Sequence, residues 1–290
     1  MLRLSAVTDD PAPIAALLDG TLLSPGTPLL RPDDLGVLRG EGVFETTLVV
    51  DGQPRDMDEH LVRLAVSAEM TGLVLPAPAA WRRGVQALLR ARTVDRQLVL
   101  RLVASRGPES ATEPVCYVLA AAISPRTVRQ RTEGVRVLLL DRGFSASAGS
   151  AAPWLLAGAK TLSYGVNMAA LRYAAGHDAD DVIFLGSDGA VLEAPTATVV
   201  IARDRALITP PVVGILAGIT VRRLFRTAAE AGWRTECAVL TGADLSAADG
   251  VWLVSSARLL APVTSIDGSP RPDGGLTAEL AALLEVPVSP

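Results

Sequence analysis

Short apolar runs, cut at close intervals by glycine, proline and small polar residues, set the scale of this chain. The longest uninterrupted run is Val115–Ile123, far short of the ~20 residues a membrane helix needs. Runs of this kind build short strands and amphipathic helices around a core. With 290 residues, 49% hydrophobic and 20% charged, there is enough apolar material for one large or two medium domains.

A short strand is expected at Ile14–Leu18, ended by the turn Leu18-Asp19-Gly20. Gly40-Glu41-Gly42 leads into the β-rich run Val43–Val50, and Asp51-Gly52 marks a hairpin. Asp58 is expected to cap a helix over Glu59–Thr71, with Leu61, Leu64, Ala65 and Ala68 inward. His60 and Arg63 lie off that stripe, three apart and adjacent on the helix surface; without a role, each would be a solvated side chain. A second helix is expected at Trp81–Ala91, and strands at Leu98–Ala104 and Val115–Ile123. Residues 125–132 are expected as an interdomain linker, dividing the chain into 1–124 and 133–290.

Beyond it, strands are expected at Val135–Leu140, Asp181–Leu185, Thr198–Ala202, Ala206–Thr209, Arg234–Leu240, Val251–Ser255 and from Ala261. Ser145–Ala152 is expected as a mobile loop. Helices are expected over Thr161–Ala175 with His177 capping its end, after Ile219, near Asp244–Ala247 and at Leu276–Leu284. Strands and helices mix without strict βαβ repetition, which predicts a mixed α/β (α+β) protein of two domains.

The formal charge of −4 is too mild to imply nucleic acid or an anionic membrane as partner. Cys116 and Cys237 lack metal-ligand or redox spacing, and two histidines make a histidine-rich metal site unexpected. Asp9 and Asp10 precede any long apolar region, so no signal peptide is expected and the location is read as cytoplasmic.

One residue stands apart. Lys160 is the only lysine among 27 lysine and arginine residues. A guanidinium stays protonated, whereas an amine can shed its proton and form an imine. Lys160 is therefore either a surface residue without a role or an imine-forming lysine of the kind that anchors pyridoxal 5′-phosphate (PLP). Such a site also needs a carboxylate at the pyridine nitrogen and anion-binding amides at a helix start. Glu193 at a strand end and Gly218-Ile219-Thr220 opening a helix are candidates for these. Ser255-Ser256 ends a strand, and Tyr164 follows the lysine by four residues.

In order and spacing, Gly40-Glu41-Gly42-Val43-Phe44-Glu45-Thr46, His60-Leu61-Val62-Arg63-Leu64, Lys160, Glu193, Gly218-Ile219-Thr220 and Ser255-Ser256 before Pro262-Val263 resemble the class IV aminotransferase family, the fold type IV PLP enzymes. The resemblance implies a two-domain fold like that of D-amino acid aminotransferase, and PLP as cofactor. It implies that Lys160 is the covalent anchor and acid/base, and that Glu193 pairs with the pyridine nitrogen. Arg63, Ile219, Thr220 and Ser256 would hold the phosphate, and Tyr164 would approach the ring oxygen. Pro195 and Thr198 depart from the family pattern, which puts cofactor contacts from residues 195–198 in doubt.

Within the family, the segment Leu29–Thr46 and Ser105-Arg106-Gly107 resemble aminodeoxychorismate lyases. Thr46 falls where those enzymes carry a threonine thought to assist proton transfer. Phe44, Arg39, Arg101 and Arg106 are the expected substrate contacts. The alternatives are an aminotransferase for branched-chain or D-amino acids and a binding protein on the same fold. A small-molecule substrate and a homodimer with its site completed by a partner loop are implied.

Overall fold

The computed structural model describes residues 13–91 and 97–287; Asp9 and Asp10 lie outside them. The first part holds β1 (Ile14–Leu17), β2 (Leu22–Leu23), α1 (Leu35–Leu38), β3 (Gly42–Val50), β4 (Gln53–Pro54), α2 (Met57–Met70), α3 (Pro78–Ala91), β5 (Gln97–Ser105) and β6 (Val115–Ala122). Its strands form one sheet in the order β2-β1-β6-β5-β3-β4, antiparallel throughout. Helices α2 and α3 cover one face, where Leu61, Leu64, Trp81 and Leu88 pack on Val43, Leu100 and Leu102. Truncating a residue as buried as Leu88 costs about 2–5 kcal/mol.

For α2 the cap differs from expectation, and the plain surface reading of His60 and Arg63 fails. Its N-cap is Asp56, at φ +49° and without a side-chain capping bond; Asp58 lies in the first turn and pairs with Arg82 of α3. His60 and Arg63 are not solvated, being 1% and 10% exposed. The helical stripe misses this because a carboxylate on the sheet face opposite, Glu45, draws both side chains inward.

The second part holds α4 (Pro125–Glu133), β7 (Val135–Asp141), α5 (Ala148–Ala151), α6 (Gly165–Ala175), β8 (Asp181–Leu185), β9 (Thr198–Arg203), β10 (Ala206–Thr209), α7 (Ile219–Glu230), β11 (Arg234–Cys237), α8 (Gly242–Ala247), β12 (Gly250–Ser255), β13 (Leu259–Ile266), β14 (Ser269–Pro270) and α9 (Leu276–Leu283). The sheet runs β11-β10-β9-β12-β13-β7-β8, with β14 on β13. It is mixed: β13, β7 and β8 run parallel, and so do β10 and β11. Its central strands bury both faces, which is why they read as unbroken apolar runs. Val199 and Ile201 pack with Ile183 and Leu245, while Val200 and Ala202 pack with Leu224, Trp252 and Leu280.

The expected linker is helical: 125–132 lies in α4, opened by Pro125 and capped by Ser124, whose Oγ accepts from Thr127 N at 3.1 Å. Arg131 on α4 is almost fully buried. It donates to Gln97 Oε1 on β5 and to the carbonyls of Ala257 and Arg258, bracing the two sheets against each other. The tract 145–152 contains α5 rather than being a loop throughout. Helix α6 starts at Gly165 rather than Thr161, because residues 160–162 are held by β3. His177 closes α6 as expected, its Nδ1 2.8 Å from Tyr173 O. The strand expected at 234–240 ends at Cys237. Among the described residues no helix is long and apolar enough to cross a membrane.

Candidate active site

Lys160 sits where the two parts meet. Phe44 N donates to Lys160 O at 3.0 Å, Leu162 N to Gly42 O at 2.9 Å, and Lys160 N to Ser67 Oγ on α2 at 3.0 Å. The lysine is thus stapled to the start of β3. Gly42 makes this approach feasible, since a Cβ there would lie 2.5 Å from both Ala104 O and Leu162 Cδ1. The side chain enters a cavity of about 570 Å³. Its Nζ donates to Tyr164 Oη at 3.2 Å and stands 4.6 Å from the Phe44 ring centroid. Phe44 meets Tyr164 edge-on at 5.2 Å.

One end of the cavity is built for an anion. Gly218 is the N-cap of α7 and offers no side-chain cap, leaving first-turn amides aimed outward. A Cβ on Gly218 would stand 2.7 Å from Thr198 Oγ1. Ile219, Thr220 and Ser256 line this end, and Thr220 Oγ1 and Ser256 Oγ are 3.4 Å apart. Arg63 also lines it, clamped from behind: Nε and Nη2 donate to Glu45 at 2.6 and 2.8 Å, and Nη1 to Ala217 O at 2.7 Å. The fork keeps further N–H groups for an anion. Burial works against charge on Glu45, but Arg63 and then His60 outweigh it and hold its carboxyl down at about 2. His60 Nδ1 lies 2.7 Å from Glu45 Oε2, and its Nε2 3.3 Å from Ser256 Oγ.

Across the cavity, Glu193 follows β8 and accepts from Leu216 N at 3.2 Å. Its side chain lines the cavity and is half-buried. Burial pushes it up to about 6, against the pull of Leu216 N, Lys160, Arg142 and Arg63. A carboxylate in this position, without a salt-bridge partner among the described residues, suits a protonated ring nitrogen. Beside it is Arg142, which sequence reasoning missed. Its guanidinium lies 4.6 Å from the Phe184 centroid, Nη2 is 3.4 Å from Asn167 Oδ1, and Nη1 is buried without a partner among the described residues. Burial lowers its pKa, while Glu193 raises it.

On the β3 wall, Phe44 and Thr46 project into the cavity, while Val43 and Glu45 alternate toward α2. Arg101 on β5 is the register partner of Thr46, lines the cavity, and pairs with no carboxylate among the described residues. The other two expected arginines are placed elsewhere. Arg39 is an exposed residue 3.3 Å from Glu109. Arg106 donates to Glu41 at 2.5 Å and to Thr71 O at 2.6 Å. Neither lines the cavity; their charges brace loops. Pro195 and Thr198 do line it, with Pro195 O accepting from Asn167 Nδ2 at 2.6 Å.

These residues fit PLP. The cavity has the size of a cofactor site. It offers a primary amine, an under-partnered carboxylate across from it, and an uncapped helix start flanked by an arginine and two hydroxyls.

The profile of the class IV amino-transferase family matches residues 42–266. A Mycobacterium tuberculosis protein named bifunctional aminodeoxychorismate lyase / D-amino acid transaminase is 44% identical, covering 93% of this chain and 97% of its own. The PLP-bound form of a hypothetical aminotransferase from Mycobacterium tuberculosis superposes with a TM-score of 0.91 at 45% identity, covering 94% of this chain and 97% of that one. A fold IV transaminase from Curtobacterium pusillum gives a TM-score of 0.88 at 40% identity, covering 94% and 99%. The match in profile, sequence and fold makes this chain a member of the class IV aminotransferase family, enzymes that work through pyridoxal phosphate.

Proposed function

We propose that this enzyme converts 4-amino-4-deoxychorismate to 4-aminobenzoate and pyruvate, a cytoplasmic step toward folate precursors. The observation that carries the reading is the placement of Thr46. Its side chain lines the cavity next to Phe44, over which Lys160 Nζ stands, and opposite Arg101 in the sheet register. A proton donor between an amine and a free guanidinium suits a substrate that carries a carboxylate and must release a protonated leaving group.

When bound, PLP supplies an aldehyde for the substrate amine and a protonated ring that accepts electron density. Arg63, Ser256, Thr220 and the amides at Ile219 and Thr220 hold its phosphate. Glu193, ionised above about 6, holds the proton on the ring nitrogen, and Tyr164 orients the ring oxygen. Arg101 takes the substrate carboxylate, and the Phe44 face shapes the slot beside it. Lys160 removes the proton from the amine-bearing carbon of the bound substrate. The adjacent C–O bond breaks, and Lys160 or Thr46 protonates the departing enolpyruvyl group. Substrate atoms divide between the two products, with no water or oxidant consumed.

In the same reading, residues 1–124 and 133–290 are the two domains joined by 125–132, and the enzyme is a homodimer. The exposed apolar side chains Val37 and Leu38 on α1 and Val62 and Val66 on α2 are candidates for that interface. Transamination of D-amino acids is the second reading, favoured by the double activity in the mycobacterial relative's name; branched-chain substrates belong to the same test. Incubation with aminodeoxychorismate and no keto acid separates them. Stoichiometric pyruvate and 4-aminobenzoate are expected. Amino-group exchange between D-alanine or a branched-chain amino acid and a keto acid, without aminobenzoate formation, rejects the lyase.

A further inference from the structure

The phosphate end of the cavity contains a hydrogen-bond chain whose protons can be counted. Glu45 is fully buried, and its carboxyl is held far below neutrality. It therefore accepts only. His60, 1% exposed, stands 2.7 Å away through Nδ1, so that nitrogen carries a hydrogen. In a neutral ring Nε2 then has only a lone pair. Its partner at 3.3 Å is Ser256 Oγ, which must give His60 its single hydrogen. Thr220 Oγ1 is 3.4 Å further on. With the ring neutral, Ser256 has nothing to donate to an anion and turns a lone pair toward it. With the ring protonated, Nε2 becomes the donor and the Ser256 hydroxyl is free to rotate onto the anion.

We propose that His60 takes up a proton when phosphate binds at the start of α7, and that this proton switches Ser256 from acceptor to donor. The proposal rests on the reading that places the cofactor phosphate there.

The charges around His60 favour the switch. Glu45 from β3 faces Nδ1, and Arg63, one turn along α2, shares that carboxylate. The two form a neutral pair, so an arriving dianion is not matched by existing charge. At the start of α2, Asp56 O accepts from His60 N at 3.0 Å, and the Asp56 carboxylate is answered by Arg223 of α7 at 3.2 Å. On the β12–β13 side, Arg258 is answered by Asp181 at 2.8 Å. Lys160 and Glu193 stand across the cavity. Protonating His60 adds one positive charge beside the anion while Glu45 stabilises the ring from behind.

The chain has only two histidines, His60 and His177, so ring-nitrogen NMR on protein labelled with 15N-histidine reads the event directly. His177→Gln assigns the signals. Cofactor-free protein is compared with and without saturating inorganic phosphate at about pH 8, where the ion is already a dianion, and with the PLP-bound enzyme. The expected result is one unprotonated His60 nitrogen without phosphate and two protonated nitrogens with phosphate or PLP. At pH values where phosphate is already a dianion, its dissociation constant should rise with pH, by at most about tenfold per pH unit, the limiting slope for one linked proton. In Ser256→Ala, His60 should stay neutral when phosphate binds through Arg63 and α7. A His60 that binds phosphate but stays neutral, or is already doubly protonated without it, overturns the switch. Full protonation in Ser256→Ala assigns the change to charge alone and overturns the hydroxyl's part. Absence of phosphate binding, followed by its 31P signal, removes the phosphate site itself.

Discussion

The two ends of the cavity are built on opposite rules. At the phosphate end every polar side chain is already engaged: Arg63 by Glu45 and Ala217, His60 by Glu45 and Ser256, Ser256 by Thr220. At the substrate end Arg101 has no carboxylate partner among the described residues, and on the Glu193 side Arg142 keeps a buried N–H without one. An engaged network holds its groups in place before the ligand arrives, so little ordering remains to be done on binding. An unengaged group leaves its interaction free for the molecule that comes and goes. In the function proposed above, the engaged end is the seat of the resident group and the other the place of exchange.

Lys160 belongs to both ends, and its loss should give the largest effect. Lys160→Ala is expected to lower turnover by about 10⁴-fold, since in the proposed mechanism it removes both the covalent anchor and the proton carrier. Bleaching of the visible absorbance by borohydride, with the label on Lys160, checks the anchor in the parent enzyme. A variant with more than a tenth of parent activity would break the assignment.

At the engaged end, substitution should damage the fold itself. Glu45→Gln strands Arg63 as a buried cation and is expected to destabilise the cofactor-free protein by about 3–5 kcal/mol in urea unfolding. The pH dependence has a definite sign. The Glu45 carboxyl is held at about 2 in the folded protein against an ordinary 4.5. Its contribution is therefore complete above 4.5 and lost as pH falls from there toward 2. The variant should lack that acid limb.

This contrast also separates what the sequence made legible from what it hid. Lys160, Glu193 and the start of α7 are legible because each combines a residue type with a local signal: a lone amine, a carboxylate after a short apolar run (between β8 and β9 rather than at the strand end expected), a glycine before a helix. The Glu45–His60 contact was hidden because helical periodicity places His60 off the buried stripe and its partner comes from another element. The alternation of β3 held the clue, since Val43 and Glu45 share the face that meets α2. Among the arginines the sequence offers no ranking. Arg39, Arg101 and Arg106 are chemically alike, and only the register of β5 on β3 brings Arg101 beside Thr46. Arg142 escaped notice because its site forms where β7 and β8 run parallel and their ends converge.

At the open end, substitution should damage function and spare the fold. Arg101→Ala is expected to lower kcat/KM for a carboxylate-bearing substrate by about 10²-fold, corresponding to ~3 kcal/mol. Stability should stay within about 0.5 kcal/mol, as for other exposed positions. Arg106→Ala should do the reverse, loosening the Glu41 and Thr71 loops with KM unchanged. If the two variants exchange behaviour in steady-state kinetics and urea unfolding, the division between bracing and binding arginines is wrong.

The smallest effect tests the comparison most sharply, because it requires a fully buried carboxylate and a half-buried one to behave oppositely. Glu45 is charged and answered; Glu193 is charged and under-answered. Burial raises the Glu193 carboxyl to about 6 from an ordinary 4.5. Above about 6 the folded cofactor-free protein therefore carries an ionised group that the unfolded chain would hold at lower cost. The penalty corresponds to about 2 kcal/mol, and it is relieved as pH falls through 6 toward 4.5. Glu193→Gln removes the charge but retains shape. It should raise the Tm of the cofactor-free protein by about 4 °C at pH 7.5, with no gain near pH 4.5, while lowering turnover because the ring nitrogen loses its counter-charge. A variant that is less stable than the parent at pH 7.5 would show that Leu216 and the nearby cations already satisfy Glu193. The carboxylate would then be a structural fixture like Glu45, and the two ends of the cavity would no longer differ in kind.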